Sequence, residues 1–368
     1  MNKMILANLV HRPIRTTISI IAVAVEVTLI LLIVGLSIGI LNDSKERQAG
    51  IGADVMVQPP GSSFLRGVSG APVSARIADI LRKKVPHVTA VAPVITQLST
   101  AGTIEVIYGI DLSSFQSIGG PFRYLAGGPF QRPDDILVDD FFAHQKNVHV
   151  GDRIEVLNHQ FRVCGIVEHG KGARKFLQLS TLQDLIGAEG KASIFYVKLD
   201  EHGQADAVVR DIRAIPGMQN YDVRSLREYL SLMTMGNIPG LSTFISVVIG
   251  VAVVIGFIVI FQAMYAAVME RTREIGILKS MGASKAYIIN AILRETVLLA
   301  ILGIVLGIVI SYAARSAIVA HFSTLRILVT PGWIVRATGI AIVGALGGAI
   351  YPAFKAAQKD PIDALAYE

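Results

Sequence analysis

MERTREIGILKSMGAS, residues 269–284, is a charged, helix-compatible stretch between two long apolar runs. Ile275, Ile277, Leu278 and Met281 alternate on it with Arg271, Arg273, Glu274 and Lys279. One face suits a partner's groove while the charges select and orient that partner. The competing reading is an ordinary cytoplasmic turn.

The flanking runs set the class. Hydrophobic residues make up 52% of the 368 and charged residues 17%, against about 25% charged in soluble domains, so the chain belongs in a membrane. Crossing about 30 Å of hydrocarbon takes roughly 20 apolar residues as a helix. Thr16 to Leu41, Leu241 to Met269, Ile288 to Val319 and Trp333 to Phe354 qualify, and no such run lies between Asn42 and Met235. The first run exceeds the roughly 7 to 15 residues of a signal-peptide core and no small-residue cleavage site precedes the polar segment, so it is expected to be a retained anchor.

Lys and Arg near the span ends set the orientation. Lys3, Arg12 and Arg15, then Arg271, Arg273, Lys279 and Lys285, then Lys355 and Lys359 all belong on the cytoplasmic side. Both termini are then inside. Asn42 to Gly240 is outside, as is the short link carrying Arg315 and Arg326. The net charge of +6 is positive-inside charge beside anionic lipid, so no nucleic acid is expected as a partner. Cys164, the single cysteine, leaves the external domain to its core rather than to a disulfide.

Short or alternating apolar runs in that domain predict strands at Ala53–Gln58, His87–Val94, Thr103–Asp111, Asp135–Val138, Asp152–Leu157, Gln160–Val167, Ile194–Leu199 and Tyr221–Val223. Helices are expected at Val73–Lys84, Gly203–Ile215, Asp139–Lys146 and Leu182–Ile186, giving an α+β domain of two lobes. Asn158-His159 is the expected turn of a hairpin, and Pro59–Gly61, Gly67–Pro72 and Gly119–Gly128 are expected loops. Residues 170–175, GKGARK, lack the spacing of a phosphate loop and read as a basic external loop. His144, His149, His159 and His169 lie close in sequence without a metal-ligand spacing, so no metal is expected. No Ser, His, Asp constellation stands out.

Gly35 and Gly39, Gly303 and Gly307, and Gly344 and Gly348 recur four apart, which suits close helix packing within and between copies of the chain. Glu26 lies inside the first span, where it is either an interhelical hydrogen-bonding group, the favoured reading, or part of a substrate or proton path. Arg294 and Glu295 read as interface anchors able to pair with the cytoplasmic helix.

These features together resemble one family, the permease subunits of MacB/FtsX-like ABC transporters, also called type VII. Arg271 to Ser284 resembles its R-x-R-E-I-G-[IV]-L-[KR]-[AS]-[ML]-G-A signature nearly residue for residue. Tyr351-Pro352-Ala353, Ala356-Ala357 and Asp360-Pro361-Ile362-Asp363-Ala364-Leu365 resemble its C-terminal ending, and Gly52-Ala53-Asp54-Val55 and Val150-Gly151-Asp152 are similar to further family positions. The resemblance spans the whole chain.

It implies a four-helix membrane bundle with an α+β extracytoplasmic domain inserted between the first two helices. The domains are 1–41, the N-terminus and first span; 42–240, a MacB-like periplasmic core with its stalk; 241–269, the second span; 270–287, a coupling helix; 288–320 and 333–354, the last two spans; and 355–368, a cytoplasmic tail. The stalk is expected in Leu36–Arg47 and Arg224–Met235. Glu270, Arg271, Arg273, Glu274, Ile275, Gly276, Leu278, Lys279, Met281 and Gly282 are implied to couple to an ABC ATPase dimer. The chain opens at Met1 with the anchor, so a separate subunit is expected to bind ATP and Mg²⁺, with no cofactor and no enzymatic activity in this chain. The implied partners are a second permease copy as a homodimer, a periplasmic adaptor with an outer-membrane channel, and lipid of a bacterial inner membrane. The implied output is mechanotransmission, moving the external domain to export or extract a hydrophobic drug, peptide, lipid or lipoprotein. The alternative is an FtsX-like signalling lever that activates a cell-wall hydrolase or sensor without transport. An embedded enzyme is disfavoured by the lack of clustered catalytic types.

Overall fold

The computed structural model describes residues 13–62, 70–99, 105–238, 240–322 and 324–359; the expectations for Lys3, Arg12, Gly67, Thr103, Pro239 and Asp360 to Leu365 lie outside them. The chain divides into two compact units, Met1–Ile38 with Thr243–Ala320 and Ile327–Glu368, and Gly39–Ser242 with His321–Arg326.

The elements in chain order are α1 (Pro13–Ala49), β1 (Val55–Gln58), β2 (Val73–Ser74), α2 (Ile77–Lys84), β3 (Val88–Ser99), β4 (Glu105–Ile110), α3 (Leu112–Gly119), β5 (Tyr124–Gly127), β6 (Asp135–Asp139) and α4 (Asp140–Lys146). There follow β7 (Arg153–Val156), β8 (His159–Val167), β9 (Lys175–Gln178), α5 (Leu179–Leu185), β10 (Lys191–Ala192), β11 (Ile194–Leu199), α6 (Ala205–Ala214), β12 (Asp222–Ser225) and α7 (Leu226–Leu232). The chain closes with α8 (Leu241–Glu270), α9 (Thr272–Ser280), α10 (Lys285–His321) and α11 (Pro331–Gln358).

Four of the helices, α1, α8, α10 and α11, are long and apolar enough to cross a membrane. In the first unit glycines let them approach. A Cβ on Gly303 would stand 2.6 Å from Val23 Cβ, and one on Gly307 2.7 Å from the Ala24 carbonyl oxygen, so α10 lies directly on α1. Gly348 of α11 meets the Phe257 carbonyl of α8 in the same way, at 2.8 Å. Gly35 faces Ile327 and the Leu328 carbonyl, and accepts the Leu328 N–H at 2.9 Å. Gly344 has only ordinary contacts at 3.8 Å, to Glu26 and Val253, and Gly39, in the second unit, is buried. Glu26 is 4% exposed and seated against Gly256, where a Cβ would come within 2.2 Å of its Oε2. Its Oε1 has no hydrogen-bond partner among the described residues.

The second unit is built on a mixed sheet in the order β12-β1-β11-β3-β4-β9-β6-β8-β5, with β7 on β8. The pairs β4/β9 and β6/β8 are parallel and the rest antiparallel. Strand alternation divides its core. Met56, Tyr108, Leu137, Phe176 and Tyr196 face one side, against Phe115 of α3, Leu226 and Tyr229 of α7 and Leu41 and Ile51 at the end of α1. Val55, Val57, Phe195 and Val197 face the other, under α2 and α6. Ile107, Ile136, Val138, Phe161 and Val163 also face that side, beneath α4 and α5. These two clusters lie side by side on one face of a continuous sheet.

Several expectations are corrected. Val73 and Ser74 pair with Ala192 and Lys191 instead of opening a helix, which starts at Ile77. The hairpin turns at Leu157-Asn158, both with positive φ as a two-residue type I′ turn requires, because Val156 pairs with His159. The Gly119–Gly128 loop contains β5, and β9 and α3 were not foreseen. Asp111 caps α3, its Oδ2 accepting the Ser114 N–H at 2.9 Å.

The largest correction is the second half of the stalk. Arg224 and Ser225 lie in edge strand β12, and Ser225 Oγ then caps a helix of only two turns by accepting the Glu228 N–H at 3.3 Å. Leu226, Tyr229 and Met233, spaced for one helix face, are buried in the sheet core, so the segment is part of the domain and not an extension of α8. By contrast α1 continues unbroken past Leu41 to Ala49. Its 37 residues span about 55 Å, several turns more than the hydrocarbon requires.

A candidate coupling site between the second and third spans

The signature stretch forms a bend, a short helix and a second bend. α8 ends at Glu270, and Arg271 leaves helical geometry with φ −106° and ψ 17°. Thr272 Oγ1 donates back to the Val268 and Met269 carbonyls at 3.2 and 2.9 Å, satisfying groups the bend frees. α9 then runs to Ser280. It is closed by a Schellman motif in which the Ala283 N–H reaches the Leu278 carbonyl and the Gly282 N–H the Lys279 carbonyl, both at 3.0 Å. Gly282 adopts φ +95°, which a glycine accepts without strain. Ser284 Oγ accepts the Tyr287 N–H at 3.2 Å and starts α10.

Half of the signature fixes α9 in place. Arg271 Nη1 donates to Glu295 Oε2 on α10 at 3.1 Å, with side chains only 13% and 8% exposed. Lys279 Nζ donates to the Ala357 carbonyl at 3.1 Å and to the Lys359 carbonyl, setting a positive charge on the negative end of the α11 dipole. Ile275 packs with Val268, Ile288, Ala356 and Ala357, and Gly276 is buried beside it. These two were expected on the partner-facing side and are turned inward. A cavity of about 70 Å³ remains beneath α9, bounded by Arg271, Glu274, Leu278, Tyr287 and Glu295 among others.

The other half is free. Arg273, Glu274, Ile277, Ser280 and Met281 fall within one helical face and are exposed, Ile277 by 43% and Met281 by 72%. Arg273 and Glu274 form no ion pair among the described residues. Glu270, one turn earlier, is also exposed. An apolar pair flanked by unpaired charges of both signs recognises a protein surface rather than a small ligand. Glu295, which pairs with Arg271, was read in the sequence as an interface anchor able to pair with this helix.

Comparison with known proteins follows the same division. The FtsX-like permease C-terminal family model matches residues 246–361, and the MacB-like periplasmic core domain model matches residues 16–215, more than half of the chain. An uncharacterized ABC transporter permease, YknZ of Bacillus subtilis, is 33% identical over 196 residues, covering 52% of this chain and 44% of that one. The macrolide export ATP-binding/permease protein MacB of Shewanella sp. is 25% identical over 396 residues, covering 99% of this chain and 60% of that protein. The chain thus spans about half the length of the curated relatives it matches. Among solved structures, the periplasmic region of MacB from Actinobacillus actinomycetemcomitans is similar at 16% identity and a TM-score of 0.39, over 50% of this chain and 94% of that one.

Proposed function

The chain belongs to the permeases of MacB/FtsX-like ABC transporters, and from that premise we propose that it converts ATP hydrolysis by a partner ATPase subunit into motion of its external domain. The observation that carries this reading is the free face of α9. Arg273, Glu274, Ile277 and Met281 are the docking residues, and the cavity under α9 receives one small side chain of the ATPase. Glu270 adds an exposed charge beside that face, and Arg271, Ile275, Gly276, Leu278, Lys279 and Gly282 set its position. Two permease copies sit on an ATPase dimer in a bacterial inner membrane, with both termini cytoplasmic.

Mechanotransmission is favoured over conduction by the interior of the spans. Ser19, Glu26, Thr296 and Ser311 are at most 4% exposed, whereas a water-filled path would leave its polar lining accessible. The output in this reading is export or extraction of a hydrophobic drug, peptide, lipid or lipoprotein, handed to a periplasmic adaptor. The printed function of the MacB relative and the size of the external domain support export over signalling.

The test is ATP turnover by the assembled complex carrying Arg273→Glu or Glu274→Arg. Stimulation by the permease is expected to be lost while assembly of the external domain is kept. Turnover equal to wild type, with the complex intact, contradicts the reading.

A further inference from the structure

Three separated parts of the chain meet at Arg174, in the basic loop 170–175 to which neither phosphate binding nor docking gives a task. Arg174 Nη1 donates to Asp139 Oδ2, at the end of β6, at 3.2 Å. Its Nη2 donates to Asp43 Oδ2, near the end of α1, at 3.0 Å, and to the Thr324 carbonyl in the α10–α11 connection at 3.4 Å. The three charged side chains are 13%, 1% and 10% exposed, in the order Arg174, Asp139, Asp43.

The surroundings repeat the linkage. Arg47 pairs with Asp43 and exchanges hydrogen bonds with Gly172, donating from Nε at 3.2 Å and accepting the Gly172 N–H at 2.8 Å. Arg326 pairs with Glu46 and lies over the ring of Phe141, as Arg174 does. His169 stacks on that ring and pairs with Asp140. Further along α1, Gln48 closes a triangle with the hydroxyls of Tyr108 and Tyr196, all sides between 2.9 and 3.1 Å.

The chain leaves the external domain differently. After Leu232, the backbone of residues 233–238 makes only short turn bonds such as Asn237 N–H to the Thr234 carbonyl, Met233 is buried in the sheet core with Met235 and Ile238 packed against it, and Gly236 and Gly240 precede α8. A buried ion cluster that loses a member strands a charge, so its groups keep one arrangement. The turn carries no charged residue, so apolar contacts and local bonds alone hold it, and it opens more readily than the ion cluster.

We propose that Arg174 is a positioning residue that fastens the end of α1 and the α10–α11 connection to the external sheet. The ATP-driven stroke then enters the domain through α1, and residues 233–238 act as a hinge. This rests on the lever reading above.

The experiment is hydrogen exchange across the external domain of the full chain, assembled with its ATPase in lipid nanodiscs, with and without ATP and vanadate. Wild type is expected to show an ATP-dependent change there. In Arg174→Ala and in Asp43→Asn that change is expected to vanish while ATP turnover is retained, and Arg174→Lys is expected to restore part of it. A Gly-Gly insertion after Gly236 is expected to leave it intact. Protection of Cys164 from thiol reagents reports that each variant is folded; where Arg174→Ala fails that check, Asp43→Asn carries the test. A wild-type response in both variants, or loss of the response on the glycine insertion, overturns the proposal. No ATP-dependent change in wild type sinks the lever reading itself, a result distinct from either.

Discussion

Arg271 and Arg273 stand two residues apart in one motif and have opposite roles. Removing the guanidinium of Arg271 takes a 3.1 Å charge partner from the buried Glu295, so Arg271→Ala is expected to destabilise the first unit, read as a drop in the thermal midpoint of the solubilised chain. Arg273→Glu is expected to leave that midpoint unchanged, because the side chain is exposed and forms no ion pair among the described residues. The motif was legible as a helix with a partner. Its division into inward and outward residues was not, because the inward ones are fixed by residues distant in sequence, Arg271 by Glu295 of α10, Lys279 by Ala357 of α11, and Ile275 by Ile288 and Ala356 as well as by the nearby Val268. Cys164 gives a second residue-scale expectation. Burial pushes its thiol up to about 12, with Asp135 adding to the effect, so maleimide is expected to leave it unlabelled in the native chain and to label it once the domain is unfolded. Rapid native labelling would contradict the assigned core.

Among the elements, the small-residue pairs were readable by their spacing of four, and Gly303 and Gly307 do seat α10 on α1. Gly256 was not readable, since only the fold brings Glu26 of α1 against it. Gly303→Leu is expected to abolish the monodisperse solubilised chain, as even a Cβ there would collide with Val23. Gly282→Ala is expected to cost about 1 kcal/mol by forcing a side chain into the left-handed region, without abolishing assembly. The predicted strands came from alternation and survive as β1, β3, β4, β6, β7, β8, β11 and β12. β9 was missed because KFLQ is too short to show a period, and α7 was mistaken for stalk because core-facing and stalk-like apolar spacings are the same in sequence.

At the scale of the whole molecule, the external domain carries a buried charge whose titration reports on its integrity. Burial lifts Asp139 from its ordinary 3.8 to about 6, with Arg174 and the Phe142 N–H opposing that rise. The folded domain therefore holds this proton more tightly than the unfolded chain. Stability from the group is present below about pH 4 and is lost as pH rises toward about 6, on the order of 3 kcal/mol in all. Comparing thermal midpoints of wild type and Asp139→Asn between those limits is expected to show the slope in wild type alone. Membrane class, span number and family were legible because they rest on composition and one dense motif. The fastening of α1 to the sheet was not, since Asp43, Asp139, Arg174 and Thr324 are scattered over 280 residues.

The most direct test is to purify the tagged chain from its native membrane and measure ATP turnover of what accompanies it, for wild type and for a variant carrying Arg273→Glu with Met281→Asp. An ATPase subunit is expected to accompany wild type and to turn over faster with it than alone, with the variant losing that gain while Cys164 stays protected. An absent ATPase, or a variant as active as wild type, would contradict the account.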